Sequence, residues 1–412
     1  MVRSQEVNRL WIVSELYYPE ETSTGYFLTG IAEGLADQFQ TAVIASQPTY
    51  AARGVRAPRR ESRNGVAIRR VRSTRLDPRV LPFRVVNALT ISAAMFLEVI
   101  LQVRHRDLVI VVTNPPTLPL VVRMACRLHG SRCILLVHDV YPEVLGATGT
   151  LRRKSVAYRI LDRFSQLLYR GFDRVVVIGR DMQELVAPKT GRPQAELPVI
   201  TNWGDPRTIV PREGTNPFRE RHGLGGKFVV QYGGNIGRTH GVDALLGAAK
   251  ALEEDRSIHF LVIGEGARKR AFEDAIARNS LHNITLLSTV PRDQLSSSLT
   301  ACDIALITLV PGMKGVSVPS RMYNILAAGK PIIAMAEEGS ELALVVREEQ
   351  VGWVIPPADI DALVRTIHEA KARFVELNAM GKRGREAVER RYRLDHVIRD
   401  WTALVRGLMI DE

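Results

Sequence analysis

The 412 residues, 46% apolar and 24% charged, suffice for two domains with separate cores and exclude a disordered or collagen-like chain. The three cysteines, Cys126, Cys133 and Cys302, form an odd count without metal-site spacing, which argues against a disulfide framework and for reduced, buried thiols. The formal net charge of +12 is uneven: residues 1–216 hold 30 Lys+Arg against 19 Asp+Glu, an excess of +11, and residues 217–412 carry +1. A local excess of that size points to an anionic partner of the N-terminal half, either nucleic acid or an anionic membrane leaflet.

The segment Met1–Leu10 is polar and no apolar run follows it, so no secretory signal is expected. Leu10–Val13 and Thr41–Ser46 read as strands, joined by the loop Glu15–Gly25 and a helix over Tyr26–Gln38. Ligands of doubly wound folds bind beyond the carboxyl ends of strands, where this loop falls. Gly25 suits either a close backbone approach to a ligand or a plain turn. A basic segment follows, with Arg53, Arg56, Arg59, Arg60, Arg63, Arg69, Arg70, Arg72 and Arg75, and reads as a solvated loop and strand. Leu81–Val103 is long enough to span a bilayer, but Arg84 and Glu98 are costly there. Two readings stand: a helix packed partly on the sheet and partly on a membrane interface, or a fully buried core helix.

Asp107–Val112 is the next strand, followed by the loop Thr113-Asn-Pro-Pro-Thr, a helix over Leu118–Leu128 and a strand over Cys133–Val137. At that strand's end stands His138-Asp-Val-Tyr-Pro-Glu143, whose His138, Asp139 and Glu143 form a candidate polar cluster. Leu151–Arg170 reads as a long basic helix, and Arg174–Ile178 and Leu197–Ile200 as strands. The Pro- and Gly-containing stretch up to Pro217 has the composition of a linker.

The βα alternation then restarts. Strand Phe228–Tyr232 leads to the glycine loop Gly233-Gly-Asn-Ile-Gly237, and strand Ile258–Ile263 to Gly264-Glu-Gly266. Neither loop has G-x-G-x-x-G spacing, since Lys269 stands where a third glycine is required, and no P-loop or zinc spacing appears. Strand Ile284–Leu287 leads to Val290, and a strand over Asp303–Thr308 precedes the most informative stretch, Val316–Val345. There Pro319 and Ser320 read as a helix start, Arg321–Ala328 as a short helix, Gly329 as its stop and Pro331–Met335 as a buried strand. A helix start with an arginine in its first turn suits a diphosphate. Asp359-Ile-Asp361 has the look of a metal-binding D-x-D, but follows Pro356-Pro357 at a helix start, where capping explains it better. Helices over Asp359–Val375 and Arg383–Met409 complete the chain.

The run PSRMYNILAAGKPIIA resembles the donor-nucleotide segment of family-four retaining glycosyltransferases, and is most similar to the WbuB type of bacterial surface-polysaccharide assembly. HDVYPE is similar to the D-x-W/Y-P-E motif of that type, with His138 matching a histidine that contacts the donor sugar. The likeness extends, more loosely, over nearly the whole chain. It implies an α/β architecture of two doubly wound Rossmann-like domains facing across a cleft (GT-B type), with a C-terminal helix crossing back to the first domain. The expected boundaries are an acceptor-binding, membrane-facing domain over 1–204, a linker over 205–216, a donor domain over 217–390 and a crossover helix over 391–412.

The resemblance implies retaining, metal-independent transfer from a UDP-sugar, with an N-acetylated deoxyhexosamine or related hexose as the moiety, to a lipid-diphosphate-linked saccharide. His138, Asp139 and Glu143 are the expected catalytic group. Gly234, Asn235, Gly237, Arg238, Gly264, Val290, Ser320, Arg321 and Asn324 are expected around the nucleotide, and Gly25 and Glu341 around the sugar or acceptor. No metal or cofactor is expected, the UDP-sugar being a substrate. The family's E-x7-E glutamates fall on Val316 and Asn324, and its loop lysine on His240, so the diphosphate's charge rests on Arg321 and Arg238. An anionic membrane surface, met by the arginines and Leu81–Val103, implies a peripheral place on the cytoplasmic face of the plasma membrane. Nucleic acid fits less well, since aromatics are only 6% and no basic, aromatic platform is visible. A UDP-sugar 2-epimerase of the same fold and a non-catalytic scaffold are the alternative readings.

Overall fold

A computed structural model of the protein describes residues 8–48, 55–76, 80–212 and 214–410. Arg53 of the basic segment lies outside them. The chain divides into two units, one made of residues up to Pro142, Val156–Thr201 and Leu394 onward, the other of Glu143–Ser155 and Asn202–Arg393.

The first unit holds a seven-stranded sheet in the order β3-β4-β2-β1-β5-β6-β7. Its strands are β1 (Leu10–Ser14), β2 (Thr41–Ser46), β3 (Arg60–Arg63), β4 (Val66–Val71), β5 (Leu108–Val112), β6 (Arg132–Val137) and β7 (Arg174–Val177). All neighbours run parallel except β3 and β4. The runs LWIVS, TAVIAS and LVIVV are buried at every position, as strands covered on both faces must be. The β3–β4 hairpin turns on Asn64-Gly65, both at positive φ, which suits a tight two-residue hairpin. The sequence reading passed over this Asn-Gly signal.

The second unit holds six parallel strands in the order β10-β9-β8-β11-β12-β13. They are β8 (Phe228–Gly233), β9 (Ile258–Ile263), β10 (Ile284–Leu287), β11 (Ile304–Thr308), β12 (Ile332–Met335) and β13 (Gly352–Ile355). In each sheet the winding direction reverses once, beside β1 and β5 in the first unit and beside β8 and β11 in the second. Such switch points open a crevice beyond the strand ends, where ligands of doubly wound sheets bind.

The C-terminal helix Leu394–Ile410 belongs to the first unit, as expected, and packs on the helix Ser23–Ala36. Approach is close: a Cβ on Gly34 would stand 2.5 Å from Ile398. Trp401 and Val405 are buried on the same helix.

Several expectations change. Arg383–Met409 is not one helix but two, Phe374–Arg391 and Leu394–Ile410, because the Tyr392 carbonyl accepts the Gly204 N–H instead of continuing a helical ladder. The basic helix starts at Val156, so Arg152, Arg153 and Lys154 precede it and belong to the second unit, where Arg153 donates to the Gly312 carbonyl. Leu197–Ile200 reduces to a single bridge between Val177 and Val199.

The helix Leu81–Gln102 is not a fully buried core helix. Ile91, Met95, Val99 and Val103 form a buried stripe, whereas Val85, Leu89, Leu97 and Leu101 are 52–71% exposed. Nor is the basic segment free throughout: Arg63 pairs with Glu33, Arg69 with Glu98, and buried Arg70 with Glu61 and with the carbonyls of Tyr18 and Pro58. Arg56, Arg59, Arg60 and Arg72 remain exposed. Asp359 caps the helix Ile360–Ala372 by accepting the Ala362 N–H at 2.8 Å, in line with the capping reading.

Candidate active site

At the switch point of the second unit the carboxyl ends of β8 and β11 present Gly233 and Thr308. The Arg321 guanidinium is fixed to both, donating to the Gly233 carbonyl at 3.1 Å and the Thr308 carbonyl at 3.3 Å. It lies 4.6 Å over the Tyr232 ring, a cation–π contact that holds its plane. Its Nε is buried without a protein partner. A guanidinium held by two strand ends is a pre-positioned cation with donors to spare for an anion.

Two glycine turns frame this cation. Gly234 has φ +135, and a Cβ there would stand 2.9 Å from an Arg321 terminal nitrogen. Gly264 packs backbone to backbone against the same turn, with a Cβ position 1.9 Å from the Gly234 carbonyl oxygen. The turn is tied down by Ile236 N–H to the Glu265 carbonyl at 2.8 Å and by the Tyr232 hydroxyl to the Asn235 carbonyl at 2.7 Å. Gly237 is buried, and Asn235 and Arg238 are exposed at the rim. Gly234 and Gly264 thus lie in two turns packed on each other beside Arg321, with Asn235, Gly237 and Arg238 following Gly234 along the chain. Asn324 lies one helical turn beyond Arg321 and is half-buried. Val290 is half-buried past the end of edge strand β10. Glu341 is buried and opens the helix Glu341–Glu348, which Ser340 caps.

The helix start itself differs from expectation. Ser320 is in the helical region and makes no side-chain cap, and the first amides, Met322 and Tyr323, donate to the carbonyls of Pro319 and Ser320. The helix Arg321–Ala327 has only seven residues. Anion attraction here therefore resides in the guanidinium more than in the helix tip. Val316 is buried, so the apolar side chain at the first family-glutamate position is packed into protein. His240 is held down to about 3 by burial and then by the Arg321 charge, so its imidazole is neutral at physiological pH and adds no cation. Tyr232 and Thr308, which hold Arg321, had no role in the sequence reading. They close the predicted strands Phe228–Tyr232 and Asp303–Thr308, and only the strand order reveals that those ends adjoin.

In the first unit, His138 and Asp139 follow β6 next to the switch point. Their amides donate to the hydroxyl of Thr113, directly after β5, at 3.1 and 3.2 Å. His138 Nε2 is buried without a protein partner. Burial lowers the His138 imidazole to about 4 and raises the Asp139 carboxyl to about 6. A carboxyl near 6 is poised to hold or release a proton around neutrality. Glu143 opens the helix Glu143–Ala147 and groups with the second unit, whereas His138 and Asp139 belong to the first. Gly25 lies in the first turn of the helix Ser23–Ala36; the space a Cβ would take is filled by the Glu20 carbonyl, 2.4 Å away. The close approach there is made by protein backbone. Among the described residues, no three His, Cys, Asp or Glu side chains gather as a metal site would require.

The two shifts act oppositely on stability. A folded-state value raised to about 6 makes Asp139 stabilising below its ordinary 3.8, a contribution lost as pH rises through 6. His138, lowered to about 4, contributes above 6.5 and loses that contribution as pH falls through 4. Asp139→Asn is therefore expected to gain stability over the wild type between pH 4.5 and 7, by up to about 2 kcal/mol. Urea unfolding at both pH values measures this; a difference independent of pH would contradict it.

Comparison with known proteins agrees with this geometry. Residues 24–203 match the family model of the glycosyl transferase 4-like domain, and residues 215–387 that of glycosyl transferases group 1. The chain is 36% identical over 315 residues to the probable glycosyltransferase WbjE of Pseudomonas aeruginosa, covering 75% of this chain and 76% of that protein. It is 26% identical to the putative colanic acid biosynthesis glycosyl transferase WcaI of Escherichia coli, over 69% and 70% of the two chains. Among solved structures it is similar to sucrose-phosphate synthase of Thermosynechococcus elongatus (TM-score 0.76, 16% identity, 98% of this chain and 100% of that one). HepE of Anabaena, in complex with UDP and glucose, matches with TM-score 0.74 and 14% identity over 97% and 100% of the chains. These likenesses give the fold, two Rossmann-like units of the GT-B type. With the cation at its switch point and more than two thirds of WbjE matched, this chain belongs to the group 1 glycosyltransferases.

Proposed function

We propose that the enzyme transfers a sugar from UDP to a lipid-diphosphate-linked saccharide during surface-polysaccharide assembly, with retention of anomeric configuration. The observation that carries this reading is the Arg321 guanidinium, fixed at the ends of β8 and β11 beside the Gly234 turn. A sugar diphosphate needs its leaving group stabilised as charge develops, and a pre-positioned guanidinium supplies that without reorganisation. Arg238 at the rim is the second cation available to the phosphates. Asn324, in place of a glutamate, offers a neutral donor and acceptor to a ribose hydroxyl. The wording of the WcaI name and the UDP bound to HepE support the pathway and the nucleotide.

On the first unit, the Asp139 carboxyl and the neutral His138 imidazole are the proposed contacts to sugar hydroxyls. The leaving phosphate, on the same face as the acceptor, takes the acceptor proton. Calorimetry of UDP, GDP and ADP, followed by product analysis with UDP-N-acetylhexosamines and a lipid-linked saccharide, tests the reading. Absence of UDP binding, or epimerisation without acceptor, would replace it by the scaffold or the 2-epimerase reading.

The acceptor's lipid implies work at a membrane surface. The exposed stripe of the helix Leu81–Gln102, with Leu89 at 56% and Leu97 at 59%, is the proposed contact. Among the described residues, Val85–Gln102 is the one helical stretch long and apolar enough to cross a membrane, and 22% of it is buried inside the protein. Leu89→Glu with Leu97→Glu is expected to cut pelleting with phosphatidylglycerol vesicles severalfold without lowering the melting temperature. Unchanged pelleting would remove this helix from the membrane contact.

A further inference from the structure

The helix Val156–Arg170 turns the opposite face to water from the one a core-packed helix shows. Toward the protein it packs Ser165 and Tyr169, both buried. Asp162 accepts from Gln166 at 2.9 Å and pairs with Lys189 of the helix Arg180–Thr190. Val156, Ile160, Phe164 and Leu167, spaced four, four and three residues apart, fall in one row along the helix. Every member of that row is 45–66% exposed. An apolar row of this spacing ordinarily faces a core. Here the helix packs inward through Ser165 and Tyr169, and the apolar row faces water.

Arginines run beside the row. Arg159 and Arg163 follow Val156 and Ile160 by three residues, are exposed, and line with the four apolar side chains a shallow trough of about 480 Å³. Neither arginine forms an ion pair among the described residues.

Sheet topology adds to this surface. The connections β4 to β5, β5 to β6 and β6 to β7 all step across the sheet in one direction. Right-handed crossovers then set the helices Leu81–Gln102, Leu118–His129 and Val156–Arg170 on one face of the sheet. The helix Ser23–Ala36, which leads from β1 back to β2, takes the other face together with the C-terminal helix packed on it. Leu97 and Leu101 on the first of the three helices and Leu128 on the second are exposed as well. Apolar side chains thus come to the surface on all three helices of one layer, an arrangement that marks an interaction surface.

We infer that the outer row of the helix Val156–Arg170 is a docking surface for an anionic phospholipid bilayer, its apolar side chains at the headgroup–acyl boundary and Arg159 and Arg163 among the phosphates. A basic amphipathic helix lying in a membrane interface has this composition. Charge selects this occupant over a second copy of the chain. Row-on-row pairing of two copies would bury both arginines of each with no carboxylate among the paired residues, whereas anionic headgroups neutralise them. The inference rests on the membrane-surface part of the proposed function and adds a second contact, on a different helix.

Pelleting of the full chain with phosphatidylglycerol and with phosphatidylcholine vesicles tests it. Ile160→Glu with Phe164→Glu is expected to cut binding to phosphatidylglycerol severalfold. Arg159→Gln with Arg163→Gln should cut it roughly tenfold or more, toward the phosphatidylcholine value, since each arginine close to an anionic surface counts for about a fivefold change. Melting temperature and UDP affinity should stay at wild-type values in both variants, which keeps this test apart from the donor-site reading. An environment-sensitive fluorophore carried by the Ile160→Cys variant should shift its emission to the blue when phosphatidylglycerol vesicles are added. Wild-type protein that ignores phosphatidylglycerol overturns both membrane contacts. Wild-type binding that survives both double variants unchanged, or an unshifted emission, overturns this one alone. A dimer lost in the Ile160→Glu, Phe164→Glu variant while vesicle binding stays unchanged assigns the row to a second copy and overturns the inference too.

Discussion

Arg321→Ala is expected to lower turnover with a UDP-sugar by about 10²–10³-fold, the usual loss when one pre-positioned donor to developing charge is removed. UDP affinity, measured by calorimetry, should fall with it, because the leaving group exists in the ground state as a diphosphate. The fold should survive. Two carbonyls, those of Gly233 and Thr308, lose a donor, which costs about 1–3 kcal/mol if water cannot replace it. Arg321→Lys sharpens the test. Lysine keeps the charge, but its single ammonium cannot reach both carbonyls and stack over Tyr232. Only partial recovery is expected. Full activity in either variant would remove this residue from the chemistry.

Gly264→Ala should have the largest effect on the site's framework. Its Cβ would stand 1.9 Å from the Gly234 carbonyl oxygen, a backbone atom that cannot rotate away. The Gly234 turn must shift, and with it the terminal nitrogen of Arg321. A loss of about 2–4 kcal/mol in unfolding free energy, with weakened UDP binding, is the expected outcome. Gly233→Ala is the control, since nothing lies within 4 Å of its Cβ position and its φ is not in the left-handed region. Its melting temperature should stay at or slightly above that of the wild type. Equal melting curves for the two variants would mean that the two glycine turns are not packed as described.

How much of this was legible beforehand depends on the range of the interaction. Strands such as Thr41–Ser46 were read with their observed ends, because burial on both faces writes itself as an unbroken apolar run. Gly329, at φ +65, ended its helix as expected. Breaks set by distant partners were not legible. The chain interrupts its final helix at Tyr392 because Gly204, far away in sequence, takes the carbonyl. Likewise, Arg63, Arg69 and Arg70 read as solvated charge, but their acids come from Glu33, Glu98 and Glu61 on other elements. In the candidate site, the motif around Arg321 was visible. The residues that aim it, Tyr232 and Thr308, became recognisable only when strand order set β8 beside β11.

The helix Leu394–Ile410 completes the first unit although every residue of the second precedes it. Expression of the N-terminal half alone, ending near Thr201, would thus leave the face around Gly34 uncovered and invite precipitation. A circularly rearranged gene, with that last helix spliced ahead of β1, would encode the whole unit in a single uninterrupted piece apart from the excursion Glu143–Ser155. Isolated-half biochemistry on this enzyme is thus best begun from such a permuted chain.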